Sequence, residues 1–229
     1  MMDLTENYIQ DPMSHWYYRH KFRFISKCFD PRFAEAVKIV DIGAGSALFT
    51  KELIKRGLVD HAVAVDTGYE LDSISDDGKI HFKRSDSYAG TDFFLMTDVL
   101  EHIEDDQAFL ISVVDQAPSG SKFVITVPAL MCLWSGHDVF LKHFRRYNLL
   151  ELRILVEKSG LKIDSARYLY STIFLIAYLH RKIFGGKTSS QMKEAGWLSG
   201  KILALLLLPD RWLIKMPFGV SLFLTAHKD

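Results

Sequence analysis

The clearest sign of a ligand-binding site in this sequence is a pair of glycines followed about twenty residues later by an acid. Residues 40–47 read Val-Asp-Ile-Gly-Ala-Gly-Ser-Ala, and the next apolar run ends at Asp66. Gly43 and Gly45 permit a tight turn and close approach of the backbone to a ligand, and a helix beginning near Ser46 would present free N–H groups. Asp66 could accept hydrogen bonds from two ribose hydroxyls. The pattern predicts a nucleotide-binding βαβ unit.

The residues around this turn bear on which nucleotide it would hold. A dinucleotide site follows G-x-G-x-x-G/A, but Leu48 stands where the third small residue would be. Asp41, directly before the turn, would repel a pyrophosphate and attract an ammonium or sulfonium group. Asp41 and Asp66 together therefore indicate an adenosine that carries a positive charge. An NAD-dependent oxidoreductase and a purely structural glycine turn are the alternatives.

A second group of reactive side chains is formed by His137, Asp138 and His143. Two histidines and a carboxylate can bind a metal ion, but without an anchoring motif these types do not predict one, and we expect no metal site. We expect instead that a histidine takes a proton from an acceptor molecule, while Arg145 or Arg146 holds an anionic part of it. Alternatively, both arginines pair with acids of the fold.

Alternating strand and helix patterns position these residues. Apolar runs bounded by turn residues predict strands at 37–42, 62–66, 80–84, 93–97, 122–127, 162–169 and 220–227, and helices at 15–25, 47–56, 105–116 and from a capping box at Asn148 to Gly160. Such alternation indicates a parallel sheet, whose ligands lie beyond the carboxyl ends of the strands.

Several polar residues follow the strand at 93–97. Asp98 and His102 are four residues apart, so they could face the same cleft, or they could form a pair that only fixes the loop. We expect the neighbouring acids to be a solvated helix start, favoured by the helix dipole. These acids are Glu101, Glu104, Asp105 and Asp106.

Several stretches match the pattern of a known family. They are Asp41-Ile42-Gly43-Ala44-Gly45, the acid Asp66, Ser85-Asp86, the strand Phe93–Thr97 with the following D-V-L-E-H, and Val220–Ala226. In these the chain resembles the class I S-adenosylmethionine-dependent methyltransferases, in the small-molecule branch (methyltransferase type 11/12-like) that includes the quinone methyltransferases. The resemblance implies an α/β, Rossmann-like fold with a seven-stranded, mostly parallel sheet and helices on both faces. It also implies S-adenosyl-L-methionine as methyl donor, with S-adenosyl-L-homocysteine as product.

The resemblance also implies roles for individual residues. The helix at 15–25 would cover the cofactor, with Tyr17, Tyr18 and Arg19 near its carboxylate, although its aromatic side chains could equally pack on the sheet. The cofactor-binding candidates are Asp41, Gly43, Ala44, Gly45, Asp66, Thr67, Asp86, Ser87, Thr97, Asp98, Tyr18 and Arg19. The catalytic candidates are His102, His137 and His143, and the substrate-binding candidates are Trp134, Arg145, Arg146 and Tyr147.

Length and charge limit the range of functions. A chain of 229 residues, 48% of them hydrophobic, is suited to one domain with one substantial core. Lys+Arg and Asp+Glu both number 28, so the chain has no bulk attraction to nucleic acid, and we expect no nucleic-acid partner. Cys28 and Cys132 have no metal-type spacing and no signal peptide opens the chain, so we expect a cytoplasmic protein.

Residues 171–214 depart from a minimal methyltransferase, in which the last two strands are joined briefly. We divide the single domain into an N-terminal helical cap (1–30), a cofactor-binding core (37–170), an apolar helical insertion (171–214) and a final strand (218–229). The insertion holds apolar segments at 173–184 and 197–208, both shorter than the roughly 20 residues of a spanning helix. From Ser171 onward, eight Lys/Arg against three Asp/Glu give a charge of +5.

This composition suits helices that lie in the interface of an anionic membrane, or an apolar lid over a lipid-like acceptor. A hairpin packed on its own domain, or on a second copy in a homodimer, is the alternative. We therefore expect O- or C-methylation of a small, hydrophobic or anionic acceptor, with peripheral contact to the inner face of a membrane. A non-catalytic, membrane-associated scaffold on the same fold is the competing hypothesis.

Overall fold

The computed structural model describes residues 12–30, 37–184 and 216–229. Within these ranges the chain forms one eight-stranded sheet and six α-helices. The strands are β1 (Ile39–Ile42), β2 (Ala62–Val65), β3 (Ser73–Ile74), β4 (Ile80–Lys83), β5 (Phe93–Thr97), β6 (Lys122–Pro128), β7 (Leu161–Leu169) and β8 (Ser221–Lys228). The helices are α1 (Trp16–Ser26), α2 (Leu48–Lys55), α3 (Asp106–Gln116), α4 (Gly136–Phe140), α5 (Leu149–Lys158) and α6 (Phe174–Phe184).

The strand order is β3-β4-β2-β1-β5-β6-β8-β7. Neighbouring strands from β4 to β6 pair in parallel, whereas β8 is antiparallel to both β6 and β7. The predicted α/β fold with a mostly parallel sheet is confirmed. An eighth strand arises because residues expected in a polar loop form β3, which pairs antiparallel with β4 across a tight turn from Ser75 to Gly78.

Alternating strand residues bury their side chains on opposite faces of the sheet, as the two-residue period requires. On one face, Phe94 and Met96 of β5 pack with Leu110 of α3 and Leu152 of α5. On the other face, residues such as Leu95 pack with side chains of α1 and α2. The helices therefore cover both faces of the sheet, as the resemblance implied.

Capping confirms the predicted start of α5. Asn148 Oδ1 accepts from the Glu151 amide at 2.9 Å, and Glu151 Oε2 accepts from the Asn148 amide at 2.8 Å. This capping box satisfies two backbone donors that a helix start otherwise leaves unpaired. It fixes where α5 begins, directly after the segment that holds the predicted histidines and arginines.

Only the first of the two predicted apolar segments lies within the described residues, as α6. The second, 197–208, lies outside them, as do the first eleven residues of the predicted cap. Across residues 12–30, 37–184 and 216–229, no helix combines the length and apolarity needed to cross a bilayer. Cys28 is half-buried and Cys132 exposed, and both are free thiols.

Candidate active site

The glycine turn connects β1 to α2 and contacts the carboxyl end of β2. Gly43 and Gly45 have φ values of +67° and +52°, in the left-handed region that glycine adopts without strain. The amides of Gly43 and Ala44 donate to the Val65 carbonyl at 2.7 and 3.1 Å. The backbone between β1 and α2 is therefore held against the end of β2.

Asp66 follows directly after β2 and accepts two backbone amides, from Gly45 to Oδ2 at 2.9 Å and from Gly68 to Oδ1 at 2.7 Å. Burial acts to raise the pKa of Asp66, but these amides outweigh it and hold the pKa below its usual value. A carboxylate can accept about four hydrogen bonds, so one group can both fix the turn and contact a ligand. The turn thus holds an ionised carboxylate at the end of β2.

Substituting alanine for Gly43 tests whether this turn requires glycine. A Cβ at position 43 would lie 2.7 Å from Val99 Cγ2, in addition to the strain of positive φ. We expect Gly43→Ala to lower the free energy of unfolding by about 2–4 kcal/mol, measured by urea denaturation. Gly78→Ala is the matched control, because Gly78 shares a positive φ of +72° but has open space around it. Equal losses in the two variants would contradict a tightly packed turn.

The other predicted cofactor residues are distributed around this turn. Asp41 is buried and accepts from Thr50 Oγ1 at 2.6 Å, which turns one of its oxygens toward α2. Asp86, in the loop after β4, pairs with Lys83 at 3.2 Å. Of the remaining candidates, Ala44 is buried in the turn, Thr97 ends β5, and Thr67 and Ser87 are exposed.

Asp98 lies at the end of β5 with a φ of +57°. It accepts from Thr126 Oγ1 at 3.0 Å and forms a salt bridge with Lys21 of α1, which is fully buried. Burial acts to lower the pKa of Lys21, but the nearby Asp98 carboxylate outweighs it and raises the pKa. Lys21 was not predicted as a site residue; the available signal was a lysine among the aromatic residues of α1.

The aromatic residues of α1 divide between the core and a cavity. Tyr18 is 6% exposed and packs near Phe49, while Arg19 is exposed. Tyr17 lines the cavity, its ring lies 4.9 Å from Lys21 Nζ, and burial raises its pKa to about 12. Helix α1 therefore both packs on the sheet and contributes a wall to the cavity.

The cavity, of about 200 Å³, lies beside Asp98 between α1, α4 and α6. Its wall combines apolar side chains with groups of both charges. The lining residues are Trp16, Tyr17, Asp98, Glu101, Pro128, His137, His143, Arg146, Ile173, Ala177, Arg181 and Val220. His137, His143 and Arg146 are thus brought together at one cavity, next to the predicted cofactor residue Asp98.

Asp138 organises the segment that contains these residues. It is fully buried, and its carboxylate contacts His143 Nδ1 at 3.0 Å, Arg146 Nε at 2.6 Å and Arg181 Nη1 at 3.3 Å. Burial acts to raise the pKa of Asp138, but His143 and Arg146 hold it well below its usual value. Burial, reinforced by the Arg181 charge, lowers the pKa of His137 to about 4, so this imidazole is neutral near pH 7.

The remaining predicted substrate residues lie elsewhere. Arg145 Nη1 pairs with Asp106 at 2.9 Å, and the buried Tyr147 hydroxyl donates to the same carboxylate at 2.7 Å. Trp134 is half-buried and is not one of the cavity-lining residues in the described part of the chain. Both arginines therefore pair with acids of the fold, as in the alternative interpretation, but Arg146 also faces the cavity.

The expectation of a solvated acidic helix start is wrong for two of its four residues. Glu101 is 0% exposed because it lies in the 3₁₀ turn Leu100–His102, and its carbonyl accepts from the Phe144 amide at 2.8 Å. Asp106 is 8% exposed because Tyr147 and Arg145 cover it. Glu104 and Asp105 are exposed, as expected, and Asp105 caps α3.

Glu101 and His102 of this turn form a compact group with His143. Burial, together with the Asp98 charge, raises the pKa of Glu101 well above its usual value. Burial and the neighbouring His143 lower the pKa of His102 to about 4. The His102 and His143 rings are nearly perpendicular, with centroids 4.7 Å apart. His102 thus contacts His143 directly, a pairing between residues 41 positions apart that the sequence did not predict.

Comparison with known proteins gives one family match and several structural matches. A family model described as a methyltransferase domain matches residues 13–166. No significant relative is found among curated proteins. An S-adenosylmethionine-dependent methyltransferase from Archaeoglobus fulgidus is 17% identical, with a TM-score of 0.52 over 93% of this chain and 99% of the other.

Two further structures have the same fold. One is a complex of the Haloferax volcanii Trm112 methyltransferase activator with a protein assigned as a methyltransferase; it is 15% identical, with a TM-score of 0.58 over 93% of this chain and 89% of the other. The second is phosphoethanolamine N-methyltransferase 2 of Haemonchus contortus, with S-adenosyl-L-methionine; it is 14% identical, with a TM-score of 0.52 over 90% of this chain and 52% of the other. At these identities the likeness establishes the fold alone.

Proposed function

This chain belongs to the methyltransferase-domain family, and on that premise we propose that it transfers a methyl group from S-adenosyl-L-methionine to a small acceptor. The observation that carries the choice of cofactor is Asp66, which the Gly45 and Gly68 amides fix beside the glycine turn. S-adenosyl-L-methionine supplies a methyl group on a sulfonium that departs as a neutral thioether. Two structures with the same fold are described as dependent on, or in complex with, this compound.

The residues of the turn support a defined arrangement of the cofactor. We assign the ribose hydroxyls to Asp66 and the adenine side to Asp86. The close packing of Gly43 against Val99 leaves no room for a side chain at position 43. A glycine there lets the backbone approach the ligand closely. Asp98 offers a carboxylate for the ammonium group of the cofactor, beside the acceptor cavity. Ala44, Thr67, Ser87, Thr97, Tyr18 and Arg19 stay predicted contacts.

The cavity supports an acceptor with an apolar body and an oxygen-bearing, partly anionic end. Ile173, Ala177 and Val220 supply apolar wall, while Arg146 and Arg181 supply positive charge. Methyl transfer is an in-line displacement, so the main task of these residues is to orient the acceptor and exclude water. His137 lines the cavity and is neutral near pH 7, so it would contact the acceptor as an uncharged imidazole.

A transfer assay tests this proposal directly. The purified protein is incubated with S-adenosyl-L-methionine labelled in its methyl group and with separate pools of hydroxylated aromatics, quinols and lipid extracts. We expect label in an organic-extractable product from at least one pool, and much less label with Asp66→Ala at a cofactor concentration below the wild-type Kd. If label enters no pool although the protein binds the cofactor, a small hydrophobic acceptor is the wrong class.

We further propose that α6 contacts a membrane surface. Leu175, Ile176, Leu179 and Ile183 are 50–70% exposed on this helix, whose last turn contains Arg181 and Lys182. Arg181 faces the cavity, but Lys182 is exposed, and an exposed apolar face beside a basic residue is typical of a helix that lies in a bilayer interface. A second copy of the chain could cover the same face, and this is the alternative.

Vesicle binding separates these two occupants. We expect Leu175→Glu with Leu179→Glu to lower partitioning to phosphatidylglycerol vesicles at least about 10-fold, because burial of one leucine stabilises by about 1.5–3 kcal/mol. Ile154→Glu is the matched control, since this residue is 42% exposed on α5. Unchanged partitioning, with a dimer in light scattering that the double variant dissociates, would assign the face to a second copy.

A further inference from the structure

Three side chains converge around a point that their own hydrogen bonds leave unexplained. One ligand atom from each of Glu101, His102 and His143 lies within 4.8 Å of the others. Within the described ranges, neither Glu101 carboxylate oxygen has a hydrogen-bond partner, and the same holds for Nε2 of His102 and of His143. Glu101 is 0% exposed and the His143 side chain 3% exposed. Buried polar atoms without a hydrogen-bond partner are rare, so this cluster calls for an explanation.

The donor set indicates what the cluster would bind. Two imidazole nitrogens and one carboxylate are a set that binds divalent first-row transition metals while leaving coordination positions open. Ligand atoms around such an ion lie roughly 3–4 Å apart, so small side-chain rotations would complete the site. A hydrogen-bond network alone explains the group less well, because Glu101 Oε1 and Oε2, His102 Nε2 and His143 Nε2 all lack a hydrogen-bond partner among the described residues.

The surroundings fix His143 in the orientation that a metal ligand needs. His143 Nδ1 lies 3.0 Å from Asp138 Oδ1, so Nδ1 carries the proton and Nε2 presents its lone pair to the cluster. Asp138 is held in turn by Arg146 and Arg181. A histidine that ligates a metal through one nitrogen and donates to a carboxylate through the other is a recurrent arrangement. His102 has a hydrogen bond with the backbone of Leu141.

We propose that Glu101, His102 and His143 bind one divalent transition-metal ion, such as Zn²⁺ or Mn²⁺, at the wall of the acceptor cavity. Glu101 and His143 line that cavity, so an ion between them would be reachable by an acceptor oxygen. This differs from the expectation of no metal, which considered His137 and Asp138 with His143. In the proposed site, His143 stays a ligand and Asp138 supports it by a hydrogen bond. The other two ligands come from the 3₁₀ turn Leu100–His102.

A metal ion at this site would indicate the chemical class of the acceptor. This inference rests on the proposed function. A hydroxyl group bound to a divalent ion loses its proton near neutral pH, so the O–H bond breaks and the proton leaves to solvent. The oxygen electron pair then forms the O–CH₃ bond, and the S–CH₃ bond breaks with its pair on sulfur. An anionic oxygen and a sulfonium thus give a neutral ether and a neutral thioether. The acceptor is therefore a hydroxyl compound, methylated on oxygen.

Direct metal titration tests the site without any activity measurement. The full chain is freed of metal with a chelator, dialysed and titrated with Zn²⁺ by calorimetry and with Co²⁺ by visible absorption. We expect one equivalent of each, with Co²⁺ ligand-field bands. Glu101→Gln and His143→Ala should weaken binding at least about 100-fold. His137→Ala, which alters the same cavity but not the proposed ligands, should retain one equivalent.

The variants also separate a metal ligand from a structural residue. Because Glu101→Gln replaces a buried carboxyl group that has no hydrogen-bond partner in the described part of the chain with a neutral group of similar size, we expect the metal-free variant to melt close to the temperature of the metal-free wild type, while Zn²⁺ raises only the wild-type melting temperature. Absence of binding by the folded wild type, or equal binding by Glu101→Gln and His143→Ala, would overturn the site. Cofactor binding without metal binding would refute the metal alone, whereas metal binding without cofactor binding would refute the proposed methyl transfer and leave the site in place.

Discussion

Replacing Asp66 by alanine is expected to weaken S-adenosyl-L-methionine binding by about 1–3 kcal/mol, or roughly 5- to 150-fold in Kd. The variant removes the carboxylate assigned to the ribose hydroxyls. It also removes the hydrogen bonds that the Gly45 and Gly68 amides donate to this carboxylate. Their loss would loosen the turn. The measurement is isothermal titration of wild type and variant under identical buffer and salt.

Two further variants interpret this result. Asp76→Ala removes an exposed acid from the turn before β4, at the opposite end of the strands from Asp66, so it controls for the change in net charge and should bind as the wild type does. Asp66→Asn keeps an acceptor oxygen but replaces the other with a donor, so we expect an intermediate loss. Equal affinities of wild type and Asp66→Ala would remove Asp66 from the cofactor site.

Replacing Lys21 by methionine is expected to lower the free energy of unfolding by about 3–5 kcal/mol, the usual cost of removing one partner of a buried ion pair. Lys21 is fully buried and pairs with Asp98, whose side chain is 12% exposed. Methionine keeps the aliphatic volume but leaves the Asp98 carboxylate without its cation. Urea denaturation monitored by circular dichroism gives the change.

The double variant Lys21→Met/Asp98→Asn shows whether the loss comes from the unpaired charge. We expect it to recover a large part of the stability, because neither charge is then buried alone. Lys158→Met, in the exposed last turn of α5, should change stability by no more than about 0.5 kcal/mol. If Lys21→Met were as mild as Lys158→Met, the Lys21–Asp98 pair would not anchor α1.

Much of the fold was predictable because it follows periodic patterns. The runs that form β1, β2 and β5 end in Gly43, Asp66 and Asp98, and each strand was predicted to within two residues at either end. Turn and capping residues acted locally, so their effect could be read from neighbouring positions. Strand β3 was missed because two exposed residues carry no periodic signal; only the turn at Gly78 brings them against β4.

The site was harder to predict because burial depends on contacts distant in sequence. Glu101 stands in an acidic run that resembles a solvated helix start, yet the backbone of Phe144 closes over its turn. Lys21 stands on a mixed helix, and only the docking of α1 beside Asp98 reveals that it is buried. His143 was identified by type, but its partners His102 and Asp138 depend on how residues 136–146 fold back on the turn.

Cofactor binding is the most direct test of the proposal that this chain uses S-adenosyl-L-methionine. Purified protein is titrated by calorimetry with S-adenosyl-L-methionine and S-adenosyl-L-homocysteine, with NADH as the control ligand. We predict saturable binding of both adenosyl compounds at one site per chain and no heat of binding from NADH. Saturable NADH binding without binding of either adenosyl compound would contradict it and favour a dinucleotide-dependent oxidoreductase on the same fold.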